Sequence, residues 1–316
     1  MIDNTAILAL EKRVGSRHLA KRLQLQTEHS AIRLSQTGVH IYWEQIDALG
    51  PLLKALLTLC GLYRRAVRNS IDYAVETVTV PIPQLPPAFH GFRILQLSDL
   101  HVENIVDRGK RLREVIQALE YDLCVITGDF RFLTYGDYEN AVICAGEVTT
   151  AIRCPHGIVG VLGNHDFIEM VPGLEKYGIR LLLNESLPIQ RGSDTVWIVG
   201  VDDPHWYEVD DLEKALQEVP PTAVKLLLAH SPELLDQACR AGIDYYLCGH
   251  SHGGQICLPG RVPIINNSAC ARRYISGPWR YQDRMAGYTS RGTGASLLPV
   301  RLFCRPEVTI HQLVVP

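Results

Sequence analysis

The stretch FRILQLSDLH, residues 92–101, joins an apolar run to two residues of types that bind metal ions. Residues 92–98 form a short and largely apolar run, which is typical of a buried β-strand. Asp99 and His101 follow at a spacing of two, which places both side chains on one face of an extended chain end. The stretch therefore predicts a strand that carries metal ligands at its carboxyl end.

Four further motifs with the same residue types follow along the chain, each directly after an apolar run. They are Gly128-Asp129, Gly163-Asn164-His165-Asp166, Ala229-His230-Ser231 and Gly249-His250-Ser251-His252. Each motif alone has an ordinary alternative, such as a turn or the start of a helix. Their shared position after strands and their complementary oxygen and nitrogen donors favour one common site.

The donors are carboxylate, amide and imidazole groups without a thiolate, a set that suits Mn²⁺, Fe or Zn²⁺. A carboxylate has two oxygens, so Asp129 can bridge two cations, and seven ligands suffice for two ions about 3.5–4 Å apart. We therefore predict that two divalent metal ions (Mn, Fe or Zn) are bound by Asp99, His101, Asp129, Asn164, His230, His250 and His252.

Apolar runs alternate with amphipathic segments from residue 92 onwards, which is typical of a layered α/β fold. The predicted strands cover residues 92–98, 123–127, 158–162, 196–201, 224–229, 245–248, 263–266, 300–304 and 308–314. The predicted helices cover residues 108–120, 138–152, 212–219 and 233–241. Ligands of such folds gather at the carboxyl ends of strands, where all the motifs lie.

The composition is that of an ordinary soluble globular protein. The 316 residues are 47% hydrophobic and 21% charged, and the formal net charge is -3, so we expect no nucleic-acid partner. The nine cysteines are scattered and include no Cys-x-x-Cys pair, which indicates reduced thiols in a cytoplasmic protein.

Residues 1–80 form a predicted helical extension and linker, ahead of a predicted domain at residues 81–316. The extension is basic, and prolines at positions 81, 83, 86 and 87 predict an extended linker. Residues 49–63 have helical apolar spacing, and Arg64, Arg65 and Arg68 come next. Two interpretations are open: this helix lies on the anionic inner face of a membrane, or it packs on the domain that follows. We expect neither a secretory signal nor a membrane span.

The motifs, taken in this order, resemble the pattern of the calcineurin-like metallophosphoesterases. The resemblance covers roughly residues 92–313 and implies a four-layer α/β/β/α sandwich with a dinuclear metal centre. It implies one ion bound by Asp99, His101, Asp129 and His252, and a second bound by Asp129, Asn164, His230 and His250. It also implies that His165 stabilises phosphoryl oxygens and protonates the leaving group, while Asp166 orients His165.

Residues 96–101, 249–255 and 299–307 are most similar to bacterial phosphodiesterases of the cell envelope, some of which hydrolyse UDP-2,3-diacylglucosamine. This similarity implies a membrane-associated hydrolase in which a metal-bridging hydroxide attacks a phosphodiester or pyrophosphate bond of a lipid-linked or nucleotide-sugar substrate. The chain departs from the subgroup because it lacks an obvious N-terminal membrane anchor.

Several residues outside the motifs are candidates for substrate binding. The guanidinium of Arg131 has two parallel N–H donors that match phosphate oxygens, so Arg131 is a candidate phosphate ligand. A role in a surface salt bridge is an equally good interpretation. Arg272 and Arg273 are further candidates, and His205 and Trp206 are candidates for the rim of the pocket.

Two other functions are open on the same fold. A phosphoprotein or phosphomonoester phosphatase is one, but phosphoprotein phosphatases extend the second motif to Gly-Asp-x-Val-Asp-Arg-Gly, whereas this chain has Gly-Asp-Phe-Arg-Phe at residues 128–132. A non-catalytic scaffold is the other, and such scaffolds tend to lose metal ligands or the catalytic histidine, which are all present here.

Overall fold

Two six-stranded β-sheets lie face to face in the computed structural model, which describes residues 4–35, 49–264, 268 and 270–316. The strands are β1 (Ala74–Pro81), β2 (Arg93–Leu97), β3 (Leu123–Thr127), β4 (Ile158–Val161), β5 (Ile179–Leu181), β6 (Glu185–Arg191), β7 (Asp194–Gly200), β8 (Lys225–Leu228), β9 (Tyr245–Cys248), β10 (Cys257–Leu258), β11 (Val262–Pro263), β12 (Gly277–Tyr281), β13 (Met285–Thr289) and β14 (Glu307–Val314). The first sheet has the order β1-β14-β2-β3-β4-β5 and the second β12-β13-β9-β8-β7-β6, while β10 pairs with β11.

Helices cover the outer faces of the sheets and form the N-terminal part of the chain. The α-helices of the described residues are α1 (Asn4–Val14), α2 (Ser16–Ser35), α3 (Leu49–Leu59), α4 (Tyr63–Asn69), α5 (Lys110–Gln117), α6 (Glu139–Thr149), α7 (Val171–Lys176), α8 (Leu212–Ala215) and α9 (Leu235–Arg240). Short 3₁₀ helices lie at Pro87–Phe89, Val102–Asn104, Ile168–Met170, Pro232–Leu234, His252–Gly254 and Arg272–Tyr274.

Three of the apolar clusters among the described residues define the layers of the fold. Between the sheets, residues such as Ile94 and Val125 of the first sheet pack with Ile198 and Leu226 of the second. The outer face of the first sheet is covered by α5, α6 and α7, and the outer face of the second by α8 and α9. The predicted four-layer α/β/β/α sandwich is therefore confirmed.

Parallel pairing aligns the carboxyl ends of the central strands in each sheet. Strands β2, β3 and β4 are parallel, with Leu97 paired to Ile126, and β7, β8 and β9 are parallel, with Leu228 paired to Leu247. The loops that carry the motifs begin at these aligned ends. The predicted strands at 92–98, 123–127, 158–162, 196–201, 224–229, 245–248 and 308–314 are confirmed within a few residues.

Three strand or linker predictions need correction or lie partly outside the described residues. The predicted strand at 300–304 is wrong: Leu302 forms one isolated bridge with Ile256, and the next residue, Phe303, has a φ angle of 53°, which is incompatible with an extended strand. The predicted linker overlooked β1, which pairs along its whole length with β14 and ends at Pro81. An edge strand tolerates proline because one side of it has no strand partner. The predicted strand at 263–266 lies partly outside the described residues.

The N-terminal helices pack against the sandwich. Leu10, Val14 and Leu19 of α1 and α2 are buried in the core of the first sheet. Leu57 of α3 is buried with Val300 and its neighbours. The interpretation that this helix packs on the following domain is therefore observed. In the described part of the chain, no helix is both long enough and apolar enough to cross a bilayer.

Candidate metal centre

The motif residues adopt an unusual backbone conformation. Asp99, His101, Asp129, His250 and His252 have φ angles of 49°, 40°, 56°, 71° and 51°. Left-handed backbone is uncommon outside glycine and concentrates at functional sites. The loops are joined by backbone hydrogen bonds, since the Asp99 amide donates to Gly128 and the His101 amide donates to Asp129, both at 3.0 Å. These bonds fix the direction of each side chain.

The left-handed backbone corrects one step of the sequence argument. Asp99 and His101 do lie in one cluster, but they are not on an extended chain end, so the spacing of two does not explain their approach. His250 and His252 have the same spacing of two, yet their side chains point to different groups of donors. The ligand types could be predicted from the motifs, whereas the turn geometry could not.

Two glycines allow the loops to approach closely. A Cβ on Gly163 would overlap the carboxylate of Asp129, and a Cβ on Gly249 would overlap the side chains of Ser98 and Asp99. Neither glycine has a positive φ. Close packing, rather than backbone freedom, therefore explains why glycine stands before Asn164 and His250.

The first group of donors contains Asp99, His101 and His252, which are all buried. His252 Nε2 lies 3.4 Å from Asp99 Oδ1 and 3.2 Å from His101 Nε2. His101 Nε2 lies 3.7 Å from Asp129 Oδ2, which places the Asp129 carboxylate beside this group. The structure thus brings together the four residues that the resemblance assigned to one ion.

The second group lies on the other side of Asp129. His230 Nε2 lies 3.2 Å from Asp129 Oδ2 and 2.9 Å from Asn164 Oδ1, and His250 Nδ1 lies 3.0 Å from the same Asn164 oxygen. These four residues are the ones that the resemblance assigned to the second ion. Asp129 faces both groups, with Oδ2 near His101 on one side and His230 on the other.

Hydrogen bonds to backbone carbonyls fix the tautomers of two histidines. His101 Nδ1 lies 2.8 Å from the Arg131 carbonyl, and His230 Nδ1 lies 2.8 Å from the Thr127 carbonyl. A carbonyl only accepts, so each Nδ1 donates, and in the neutral ring Nε2 is left as a lone pair. These lone pairs face further acceptors, Asp129 Oδ2 and Asn164 Oδ1, at 3.7 Å or less. A cluster of facing acceptors fits divalent cations, because a positive charge between them removes their mutual repulsion.

The electrostatics of the buried carboxylates favour positive charge at the same place. Burial by itself would raise the pKa of Asp129, but His230 and His165 outweigh it and hold the pKa well below its usual range. Burial would likewise lower the pKa of His230, but Asp129 and Asp99 outweigh it and raise the pKa well above its usual value. The field that would attract a proton to His230 also attracts a metal cation.

His165 lies beside the donors with one ring nitrogen directed toward them. Its Nε2 is 3.9 Å from Asp129 Oδ2, and its Nδ1 donates to the Phe132 carbonyl at 2.6 Å. Its ring also contacts the ring of His101, with centroids 4.8 Å apart. The Phe132 carbonyl therefore sets the tautomer and orientation of His165.

The prediction that Asp166 orients His165 is wrong. The Asp166 carboxylate accepts hydrogen bonds from the amides of Asp129, Gly163 and Arg131, at 2.8, 2.9 and 3.2 Å. Two of these three amides, those of Asp129 and Arg131, belong to the neighbouring loop. Asp166 holds the backbone around Asp129.

The remaining substrate candidates have different surroundings. Arg131 is buried, with its guanidinium 4.2 Å from the Phe167 ring and Nη2 donating to the Gly136 carbonyl, so the alternative of a surface salt bridge is wrong. Its role toward substrate stays a prediction. His205 bonds to Glu233 at 2.8 Å, and its ring lies 4.0 Å from that of His250. Trp206 is buried, and Arg272 and Arg273 are exposed.

Sequence reasoning missed residues that support the centre from distant parts of the chain. Arg301 donates to the His252 carbonyl at 3.0 Å and lies 3.2 Å from His252 Nδ1. Gln96 donates to the Cys248 carbonyl at 3.0 Å and to Thr127 Oγ1 at 3.1 Å, so it joins the two sheets behind the motif loops. Both residues lie in stretches that carry the resemblance, 96–101 and 299–307, but their contacts could not be predicted because their partners are distant in sequence.

The four-layer sandwich, with candidate metal ligands after the carboxyl ends of its strands, points to one protein family. The sequence model of the family described as calcineurin-like phosphoesterase matches residues 92–254, which include all seven candidate ligands. The chain belongs to this family and is therefore classed as an enzyme, a metallophosphoesterase.

Curated relatives extend the similarity beyond the matched region. The chain is 29% identical over 268 residues to metallophosphoesterase YkoQ of Bacillus subtilis, covering 82% of this chain and 97% of that protein. It is 31% identical over 240 residues to phosphodiesterase YaeI of Escherichia coli, covering 71% and 82%. It is 29% identical over 283 residues to a bovine transmembrane protein with a metallophosphoesterase domain, covering 83% of this chain but 61% of that protein.

Proposed function

We propose that the protein hydrolyses a phosphodiester or pyrophosphate bond with two divalent cations at this centre. The observation that carries the proposal is the position of Asp129, whose Oδ2 lies 3.7 Å from His101 Nε2 on one side and 3.2 Å from His230 Nε2 on the other. One carboxylate thus faces both groups of donors. The name of the Escherichia coli relative, phosphodiesterase YaeI, supports a diester substrate.

The donors divide between two ions as the family resemblance implies. Asp99, His101, Asp129 and His252 would bind one, and Asp129, Asn164, His230 and His250 the other. When bound, such a pair supplies Lewis-acid chemistry: it lowers the pKa of water and neutralises phosphoryl oxygens. The metals are Mn, Fe or Zn, because the donor set is oxygen and nitrogen.

The chain itself supplies positioning and proton transfer. The Phe132 carbonyl keeps a proton on Nδ1 of His165 and directs Nε2 toward the donors. When the ring carries a second proton, on Nε2, it stabilises negative charge on the phosphoryl group and gives that proton to the leaving oxygen, which leaves the neutral ring with its proton on Nδ1. Arg131 supplies a buried positive charge two residues from Asp129.

The test of this proposal is a substrate panel run with metal-free protein to which Mn²⁺, Fe²⁺ or Zn²⁺ is added back. The panel contains bis(p-nitrophenyl) phosphate, p-nitrophenyl phosphate, a phosphopeptide and UDP-2,3-diacylglucosamine. We expect metal-dependent hydrolysis of the diester or the pyrophosphate, with the phosphopeptide untouched. Hydrolysis of the phosphopeptide alone would favour the phosphoprotein phosphatase instead, and inertness toward all four by metal-loaded protein would refute the proposal.

We further propose that the protein acts on a lipid-linked substrate while it lies on an anionic membrane surface. Leu52, Leu56 and Leu59 form an exposed leucine face on α3, with exposed fractions of 66%, 55% and 86%. The arginines 64, 65 and 68 of α4 follow directly and are also exposed. An apolar helix face beside basic residues is the chemistry that binds anionic lipid headgroups.

The membrane proposal is tested with full-length protein and vesicles of phosphatidylglycerol and phosphatidylcholine. A Leu52→Asp, Leu56→Asp variant should lose cosedimentation with the vesicles. Leu8→Asp is the matched control, because Leu8 of α1 is an equally exposed leucine, at 63%. Equal binding by the double variant and the wild type, or absence of binding by the wild type, would refute membrane contact through the leucine face.

A further inference from the structure

Helix α2 inserts a buried arginine between two loops beside the metal centre. Arg22 has an exposed fraction of 0%, although arginine is rarely fully buried. Its guanidinium lies 3.4 Å from the centre of the Tyr207 ring. Its Nη2 donates to the Asp166 carbonyl at 3.0 Å, and its Nε lies 3.4 Å from Asp202 Oδ2. One side chain of the N-terminal region therefore contacts both loops.

The first of these loops carries two residues of the centre. Asp166 follows Asn164 and His165, and its carboxylate holds the Asp129 amide at 2.8 Å. Helix α2 contacts the same loop a second time, because Gln26 Oε1 accepts from the Ile168 amide at 2.9 Å and Gln26 Nε2 donates to Glu169 at 2.7 Å. Arg22 and Gln26 are four residues apart, and both hydrogen-bond to this loop.

The second loop supports a histidine of the same donor group as Asn164. Asp202 is also contacted by His18, at 3.0 Å, and Asp203 accepts from the amides of Trp206 and Tyr207 at 2.7 and 2.8 Å. His205 in this loop packs its ring 4.0 Å from that of His250. A shift of the loop would therefore change the position of His250.

Charge holds this contact in place. Burial alone would raise the pKa of Asp202, but Arg22 and His18 outweigh it and keep the pKa below its usual range. A buried carboxylate and a buried guanidinium each need the other, since either one alone would be an unpaired charge in the interior.

We propose that Arg22 is a positioning residue for the metal centre: helix α2 fixes the loop of Asn164 and the loop that supports His250, so that both side chains reach the second ion. The inference rests on the proposed dinuclear function. It makes the N-terminal helices part of the centre, although they lie outside the region that the family model matches.

The test measures metal affinity directly in the full-length protein. Metal-free wild type, Arg22→Met and Arg22→Lys are titrated with Mn²⁺, and the electron paramagnetic resonance signal of a spin-coupled Mn²⁺ pair is recorded. Loss of a residue that orients metal ligands typically costs about 10- to 100-fold in metal affinity. We expect a loss of this size for the second Mn²⁺ in Arg22→Met, with loss of the coupled signal, and a smaller loss in Arg22→Lys.

Arg17→Met is the matched control, because Arg17 is an exposed arginine of the same helix. It should bind both Mn²⁺ ions as the wild type does. Gln26→Ala removes the other hydrogen bonds from α2 to the Asn164 loop, and it should also lower the affinity for the second Mn²⁺. Gln26→Ala and Arg22→Lys decide the question if Arg22→Met does not fold.

Wild-type affinity for both ions in a folded Arg22→Met, or in both substitute variants, would overturn the positioning role while leaving the proposed function intact. A wild-type protein that binds no divalent cation would overturn both. Because the readout is metal binding, the result does not depend on having the right substrate.

Discussion

Acid should destabilise this protein through His311, a buried histidine of β14. Its Nε2 lies 2.9 Å from Gln96 Oε1, and its Nδ1 lies 2.9 Å from the Tyr245 hydroxyl. The amide of Gln96 donates to the Cys248 carbonyl, so its oxygen accepts from Nε2 and the hydroxyl donates to Nδ1. A second proton on the ring would occupy Nδ1 and break the bond from Tyr245. Burial lowers the pKa of His311 to about 3.

The pKa sets the sign and the size of the effect. The unfolded chain takes up this proton near the ordinary value of 6.5, whereas the folded protein resists it down to about pH 3. The stabilisation is therefore present above pH 6.5 and is lost as pH falls toward 3. Between pH 6.5 and pH 5 the unfolded state gains about 1.4 kcal/mol per pH unit, so the free energy of unfolding falls by about 2 kcal/mol at pH 5.

The assay compares urea unfolding of metal-free wild type and His311→Gln at pH 7 and pH 5. Glutamine can still donate to Gln96 but cannot be protonated, so the wild type should lose about 2 kcal/mol more than the variant over this range. Other titrating groups cancel because both proteins contain them. His90→Gln, at an exposed histidine, should behave as the wild type does. An equal loss in wild type and His311→Gln would refute the reasoning.

Three further substitutions test the centre itself. Asp129→Asn should lower bound metal, measured by plasma mass spectrometry, and abolish hydrolysis, because it removes the carboxylate that faces both donor groups; full metal occupancy would contradict this. His165→Ala should keep wild-type metal content while kcat falls by about 10²- to 10⁴-fold, and unchanged turnover would exclude it as a proton donor. Gly163→Ala should lower metal content because its Cβ would overlap the Asp129 carboxylate, whereas Gly50→Ala, whose Cβ would lie 3.6 Å from Leu297, should not.

The candidate ligands were predictable from the sequence because each follows a strand whose apolar run is local and easy to identify. Parallel strands end at one edge of a sheet, so residues distant in sequence, such as Asp99 and Asp129 after β2 and β3, are brought together by the topology of that sheet. The alternation of apolar and amphipathic segments predicted a layered α/β fold, and the resemblance to the family implied its four layers. The search for apolar runs overlooked β1, because an edge strand with alternating exposure has no continuous apolar run.

The supporting contacts could not be predicted, since they depend on side-chain directions that the sequence does not encode locally. Asp166 stands next to His165, yet its carboxylate bonds to backbone amides of another loop. Arg22 and Asp166 are 144 positions apart, and nothing in the basic pattern of α2 separates Arg22 from the exposed Arg17. Arg22 differs from Arg17 in being buried, and burial follows from how the helix packs in the complete fold.

The centre lies between two sheets, and this position explains why its support is distributed over the chain. Asp129 follows a strand of the first sheet, whereas His230 and His250 follow strands of the second, so the second ion would be bound across the sandwich. The relative position of the sheets therefore sets the distances among the donors. Gln96 joins the sheets from behind, and Arg22 joins loops of both sheets from outside. A change at either contact should alter metal geometry before it alters the fold.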